Sequence, residues 1–134
     1  LSATEGTDAE YFFVSDPTLN TFSKKEAEGY AEAGHTIIGT THIPIRTMEQ
    51  IIEEHCPQIP NLVSLDIEGM DLPILSTFNF ARYRPAVICV ETLNYTLNTS
   101  DRVKNADIID LMISNGYYIF ADTYLNTIFV DKTA

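Results

Sequence analysis

Asn61-Leu62-Val63-Ser64-Leu65-Asp66-Ile67-Glu68-Gly69-Met70-Asp71 is the stretch on which the reading of this chain turns. A short apolar run, Leu62 to Leu65, gives way abruptly to carboxylates and a glycine. That pattern predicts a buried parallel strand whose carboxyl end opens into a turn and then a helix. In open α/β sheets, ligands sit just beyond the carboxyl ends of the strands. Asp66, Glu68 and Asp71 therefore fall where chemistry or cofactor binding takes place. Pro85-Ala86-Val87-Ile88-Cys89-Val90-Glu91 has the same form, an apolar run closed by a carboxylate. Two such strands ending on one edge build a site that neither builds alone.

Outward from this pair, the chain alternates. On the amino-terminal side, Thr47-Met48-Glu49-Gln50 reads as a capping box. It opens a helix that carries Met48, Ile51, Ile52 and Cys56 on one face, ended by Pro57 and Pro60. Between the two apolar strands, Asp71 is expected to cap a short helix with Leu72, Leu75 and Phe78 inward. Beyond Glu91, Leu93 to Ala106 is polar and reads as a long loop over the strand ends. Asp107 to Asn115 reads as a helix with Ile108, Leu111 and Met112 inward, closed by Gly116. Tyr117–Ala121 and Thr127–Val130 follow as strands close enough to form an antiparallel hairpin. Nearer the amino terminus, Glu10 to Val14 is a strand. Ser23 to Glu26 is a second capping box, opening a helix that Gly34 closes, and His35 to Arg46 is extended, with Pro44 marking an edge or strand end. Helices alternating with strands predict an α/β fold with a parallel sheet.

The totals exclude some functions. The chain has 134 residues and a formal net charge of −11, with 45% hydrophobic and 20% charged residues. One domain over residues 1–134 is the expectation from that length. Nucleic-acid phosphate would be repelled by so acidic a chain. Two cysteines, Cys56 at a helix end and Cys89 in a strand expected to be buried, do not make a disulfide framework. Reduced thiols, no membrane-length apolar run and no signal peptide together point to a cytoplasmic protein. Leu1-Ser2-Ala3 carries no initiating methionine, the mark of a fragment or a processed chain.

With these residues in place, the chain resembles the FkbM-type S-adenosylmethionine-dependent methyltransferases. The resemblance rests on Leu62 to Leu75, with its Asp66-Ile67-Glu68-Gly69-Met70-Asp71 element, on Arg84 to Thr92, and on Asn115-Gly116-Tyr117 with Thr127 to Val130. It covers roughly residues 36 to 131. It implies a class I methyltransferase fold, a Rossmann-like, mostly parallel sheet whose last strand runs antiparallel. The Leu62 strand would be its fourth, the Pro85 strand its fifth and the closing pair its sixth and seventh. The family's glycine-rich cofactor turn, Asp-x-Gly-x-Asn-x-Gly, has no counterpart, because Gly6, Gly29, Gly34 and Gly39 are scattered. The chain thus reads as the carboxyl-terminal part of an incomplete methyltransferase fold.

Candidate roles follow. By resemblance, Asp66 and Glu68 lie near the methyl donor, S-adenosylmethionine, and the acceptor, with Glu91 across the cleft. From their residue types alone, Asp66 and Glu68 suit orienting an acceptor or drawing off its proton. Asn94, Tyr95 and His42 are candidates for contacting the substrate, and Tyr124 for lining a pocket. Asp66, Glu91 and Asn94 have the hard oxygens that suit a divalent cation, but no metal-ligand spacing marks the chain. The acceptor implied is a small molecule or a sugar, methylated on oxygen. The competing reading is a non-catalytic methyltransferase-like interaction module. An open edge on the Leu62 strand would favour a homodimer, and Tyr11 to Val14 folding back onto that edge is the rival arrangement.

Overall fold

The structure is a computed structural model and describes residues 1–4, 6, 8–67, 69–93 and 103–134. Its contacts divide the chain into two units, Leu1–Thr4 with Thr47–Ala134, and Glu5–Arg46.

In the smaller unit, strand β1 (Ala9–Val14) pairs antiparallel with β2 (Ile37–Ile43). Period-two alternation buries Phe12 and Val14 and leaves Phe13 outward, as a half-covered strand requires. Helix α1 (Lys24–Glu32) lies between them in sequence and buries Ala27. Its Ser23 hydroxyl accepts the Glu26 amide at 3.2 Å, half of the expected capping box. Glu26 turns instead to the Thr21 hydroxyl, which donates to Oε2 at 2.6 Å. The Tyr11–Val14 segment is therefore paired within its own unit, in a sheet of two strands.

The larger unit follows the predicted order. Helix α2 (Met48–His55) opens on the complete Thr47–Gln50 capping box. Strand β3 (Leu62–Leu65) leads to helix α3 (Asp71–Thr77), then strand β4 (Val87–Glu91), helix α4 (Ala106–Ser114) and strands β5 (Tyr117–Asp122) and β6 (Asn126–Asp131). The sheet order is β3-β4-β6-β5. β3 and β4 are parallel and adjacent, with Leu62 opposite Val87 and Leu65 opposite Val90. A mostly parallel sheet does not result, because the last strand inserts between β4 and β5. It is antiparallel to both, so among the described residues β3–β4 is the sheet's single parallel pairing. β3, β4 and β5 still share one direction, and only β6 is reversed. On the numbering that the resemblance supplies, the order is fourth, fifth, seventh, sixth.

One face of this sheet carries the core. Leu65, Ile88, Val90 and Phe129 meet Ile74 and Leu75 of α3, Ile108 and Met112 of α4, and Met48 and Ile52 of α2. Each such side chain contributes roughly 1.5–3 kcal/mol when fully buried. Phe78, Phe80, Tyr83 and Tyr117 close the cluster in edge and tilted ring contacts. The other face bears Val87, Cys89, Ile128 and Val130, all half-buried. Cys89 is consequently half-buried rather than buried, because alternation turns it away from Ile88 and Val90; it and Cys56 are free thiols. Among the described residues, no helix is long and apolar enough to cross a membrane.

The amino end of β4 is tied by a fork. Arg84 donates through Nε to Asp131 Oδ2 at 2.8 Å and through Nη2 to Oδ1 at 2.6 Å, and its Nη1 reaches the Asn115 carbonyl at 3.2 Å. Gly116, at φ +86°, turns the chain from α4 into β5 directly beneath that guanidinium.

Candidate functional site

The carboxyl ends of β3 and β4 open onto a cleft, and the local sequence explains each wall. The strand ends at Leu65, and Asp66 beyond it is exposed. Gly69, at φ +91°, takes the left-handed conformation that reverses the chain, and the Met70 amide donates to the Ile67 carbonyl at 3.2 Å. The residue capping α3 is Met70, which offers no side-chain acceptor, and Asp71 occupies the first helical position. This differs from the expected Asp71 cap: after the turn at Gly69 the chain becomes helical one residue earlier, at Asp71 itself. As a result the Asp71 carboxylate is drawn inward and is only 3% exposed.

Asp71 Oδ1 has no hydrogen-bond partner among the described residues. Burial raises the Asp71 pKa above the ordinary carboxylate value, hydrogen bonds with the backbone of Asp71, Gly69 and Ile67 oppose the rise, and the negative charge of Asp66 adds to it.

The facing wall comes from the end of β4 and the start of α4. Leu93 and Lys104 form an antiparallel bridge. The Asn105 amide donates to the Thr92 carbonyl at 2.7 Å, while Asn105 Oδ1 caps α4 by accepting the amides of Asp107 and Ile108. Behind this wall the buried hydroxyls of Thr92 and Thr127 lie 2.6 Å apart. Lys104 Nζ donates to Thr92 Oγ1 at 2.8 Å and pairs with the Asp122 carboxylate at 2.9 Å. Hydrogen bonding to Lys104 holds the Asp122 carboxyl below the usual range. These bonds fix Leu93 and Asn105 beside one another in this wall.

The cleft has a volume of about 280 Å³ and is lined by Gly69, Asp71, Leu72, Glu91, Leu93, Asn105 and Ile108. It therefore presents two carboxylates and a carboxamide among three aliphatic side chains. Such a lining suits a small ligand with apolar faces and a few hydrogen-bond donors.

Of the residues singled out from sequence, Glu91 lines the cleft, half-buried. Asp66 is exposed at the end of β3, and its charge reaches the cleft through Asp71. Glu68, Asn94 and Tyr95 lie outside the described residues. His42 is exposed on β2, opposite Glu10. Tyr124 is 63% exposed in the β5–β6 turn, where it takes φ +73°. Among the described residues, no group of three His, Cys, Asp or Glu side chains gathers as a metal would need. The residue that sequence reasoning underweighted is Asp71: it stood out as a carboxylate at the strand end, but its burial comes from tertiary packing.

Comparison with family models matches residues 2–119 of 134 to the Methyltransferase FkbM domain. Comparison with curated proteins and with solved structures gives no match.

Proposed function

Since the chain belongs to the FkbM methyltransferase family, we propose that its cleft is the acceptor side of an S-adenosylmethionine-dependent methyl transfer to an oxygen of a small molecule or sugar. The observation that carries this reading is the pair of carboxylates, Asp71 and Glu91, brought together at the carboxyl ends of the two parallel strands. Glu91 shapes the acceptor side. Asp66 and Glu68 act from the β3 end, orienting the acceptor hydroxyl so that proximity does most of the catalytic work.

S-adenosylmethionine supplies an electrophilic methyl group when bound, but the residues described do not form a pocket for the whole molecule. Gly29 lies inside α1, Gly34 follows that helix, Gly39 lies inside β2, and Gly116 leads from a helix into a strand. Among the described residues only Gly69 occupies a strand-to-helix turn, so none of these turns carries the paired glycines that let a backbone approach a cofactor closely. The cleft, at about 280 Å³, also falls just under the ~300–1,000 Å³ typical of pockets for drug-sized ligands. It accommodates a ring-sized portion. The same observation supports a second reading, in which the chain is an interaction module of methyltransferase ancestry.

A titration of the chain with S-adenosylmethionine, followed by calorimetry and by backbone amide NMR, tests the proposal. The expected result is weak binding, with shift changes gathered at Gly69, Leu72 and Leu93. A low-micromolar dissociation constant would overturn the view that the donor pocket is partial. Shift changes confined to residues away from the cleft would favour the interaction module.

A further inference from the structure

We propose that the outer edge of β3 is a self-pairing surface, on which a second copy of this chain docks antiparallel, Leu62 against the partner's Ser64, to give a reversible two-fold dimer. The inference is independent of the chemistry of the cleft.

The backbone of β3 carries it. The Asn61 carbonyl accepts the Val87 amide at 2.9 Å, and Leu62 lies opposite Val87. Bonding alternates along such a ladder, so Asn61, Val63 and Leu65 turn their peptide groups toward β4, while Leu62 and Ser64 turn theirs outward. No described residue bonds the amide or carbonyl of Leu62 or Ser64. Both residues are exposed, Leu62 at 60%. The sheet's two edges differ. At the far edge, β5 is broken by a bulge between Ile119 and Ala121 and ends on Asp122, devices that discourage pairing with another chain. On β3 the register runs unbroken, and Leu62–Leu65 contains neither a charge nor a proline.

The pattern of free groups identifies the occupant as a second copy. About a two-fold axis through Val63, Leu62 meets the partner's Ser64 and Ser64 meets the partner's Leu62. Every outward N–H then donates to an outward carbonyl. Val63 faces the partner's Val63 as a close, non-hydrogen-bonded pair of β-branched side chains. The next pair sets Asp66 against the partner's Pro60, which has no N–H, so the ladder stops at the same point at both ends. Asp66 and the partner's Asp66 stand about 20 Å apart along the strands, well beyond the ~8 Å screening length at physiological salt. The net charge of −11 on each copy opposes association at low ionic strength, so the dimer strengthens with salt. The symmetry is closed and gives a dimer rather than a fibre. So short an edge covers far less than the ~800 Å² per partner of a standard stable interface, and the dimer therefore exchanges with monomer.

Light scattering and amide NMR of the 134-residue chain over about two decades of concentration test the proposal. The expected result is a mass rising toward twice that of the monomer, with concentration-dependent shifts centred on Leu62, Val63 and Ser64. Ser64→Pro removes an outward N–H that β4 does not use. It should weaken the dimer at least about tenfold, because the symmetry removes the bond twice. Leu62→Lys leaves the backbone intact and sets like charges on diagonal neighbours across the interface. It should weaken the dimer similarly, which keeps the test decisive if the proline variant folds poorly. Tyr118→Lys, on the exposed β5 edge, should leave the dimer unchanged. A monomeric mass at every concentration, a dimer indifferent to Leu62→Lys, or one abolished by Tyr118→Lys would each overturn the assignment.

Discussion

Two aspartates are buried almost equally at opposite ends of the sheet, Asp71 at 3% exposure and Asp131 at 5%, and they are treated in opposite ways. At the amino end of β4, Asp131 receives both arms of the Arg84 fork together with the Thr133 amide and hydroxyl. Hydrogen bonding to Arg84 holds its carboxyl down at about 2, against the opposing effect of burial. At the carboxyl end, Asp71 has one oxygen with no partner among the described residues, and burial pushes its pKa up. Burial alone therefore does not say what a carboxylate is for. What distinguishes the two ends is whether the fold completes the hydrogen bonding of the buried group. One end is a structural lock, and the other keeps an unmatched acceptor beside a cleft.

The comparison breaks most visibly if the lock is opened. Arg84→Ala should destabilise the chain by about 3–5 kcal/mol, because it leaves Asp131 as an uncompensated buried charge. Urea denaturation monitored by tyrosine fluorescence reads this as a fall in midpoint; a change below 1 kcal/mol would mean that the pair is solvated and the contrast false. Gly116→Ala should cost about 2 kcal/mol by the same assay. The new Cβ would stand 2.8 Å from Arg84 Nη2, in a left-handed conformation that alanine disfavours. Wild-type stability at Gly116→Ala would show that the guanidinium can move aside without loss.

Acid should sharpen the contrast. The folded Asp131 pKa, about 2, lies below the ordinary 3.8, so its contribution is present above pH 3.8 and is lost as pH falls toward 2. The advantage of wild type over Asp131→Asn should thus shrink by about 2 kcal/mol between pH 5 and pH 2. Asp71 has the opposite sign. Its folded pKa is raised above 3.8, so its ionisation costs stability as pH rises through that folded value. Asp71→Asn should gain about 1 kcal/mol at pH 7, and the gain should vanish toward pH 3. A variant that is less stable than wild type at neutral pH would show Asp71 to be fully paired after all.

Much of the fold was legible because it depends on local chemistry. The Thr47–Gln50 capping box, the apolar run of β4 and the left-handed Gly34 and Gly116 all carry their signals within a few residues. The apolar run of β3 marks a strand but not the buried one expected: β3 is at the edge of its sheet, where Leu65 is buried and Leu62 is 60% exposed. The parallel β3–β4 pair followed from the helical segment between them. The insertion of β6 between β4 and β5 was not legible, since a hairpin turn fixes which strands are joined and not which of them faces the rest of the sheet. At the site, Glu91 could be read from its place at a strand end. The state of Asp71 could not, because its burial is set by tertiary packing around α3, and by Met70 rather than Asp71 serving as the cap.

The Leu93–Lys104 bridge has a wider consequence. It clamps the two ends of the segment numbered 94–103 at the rim of the cleft, and the Thr92, Thr127 and Asp122 contacts hold the clamp from behind. For a segment whose ends are already joined, doubling the length adds only about 0.6 kcal/mol of closure entropy. A change of length between Leu93 and Lys104 therefore costs little, and the sheet beneath keeps its register.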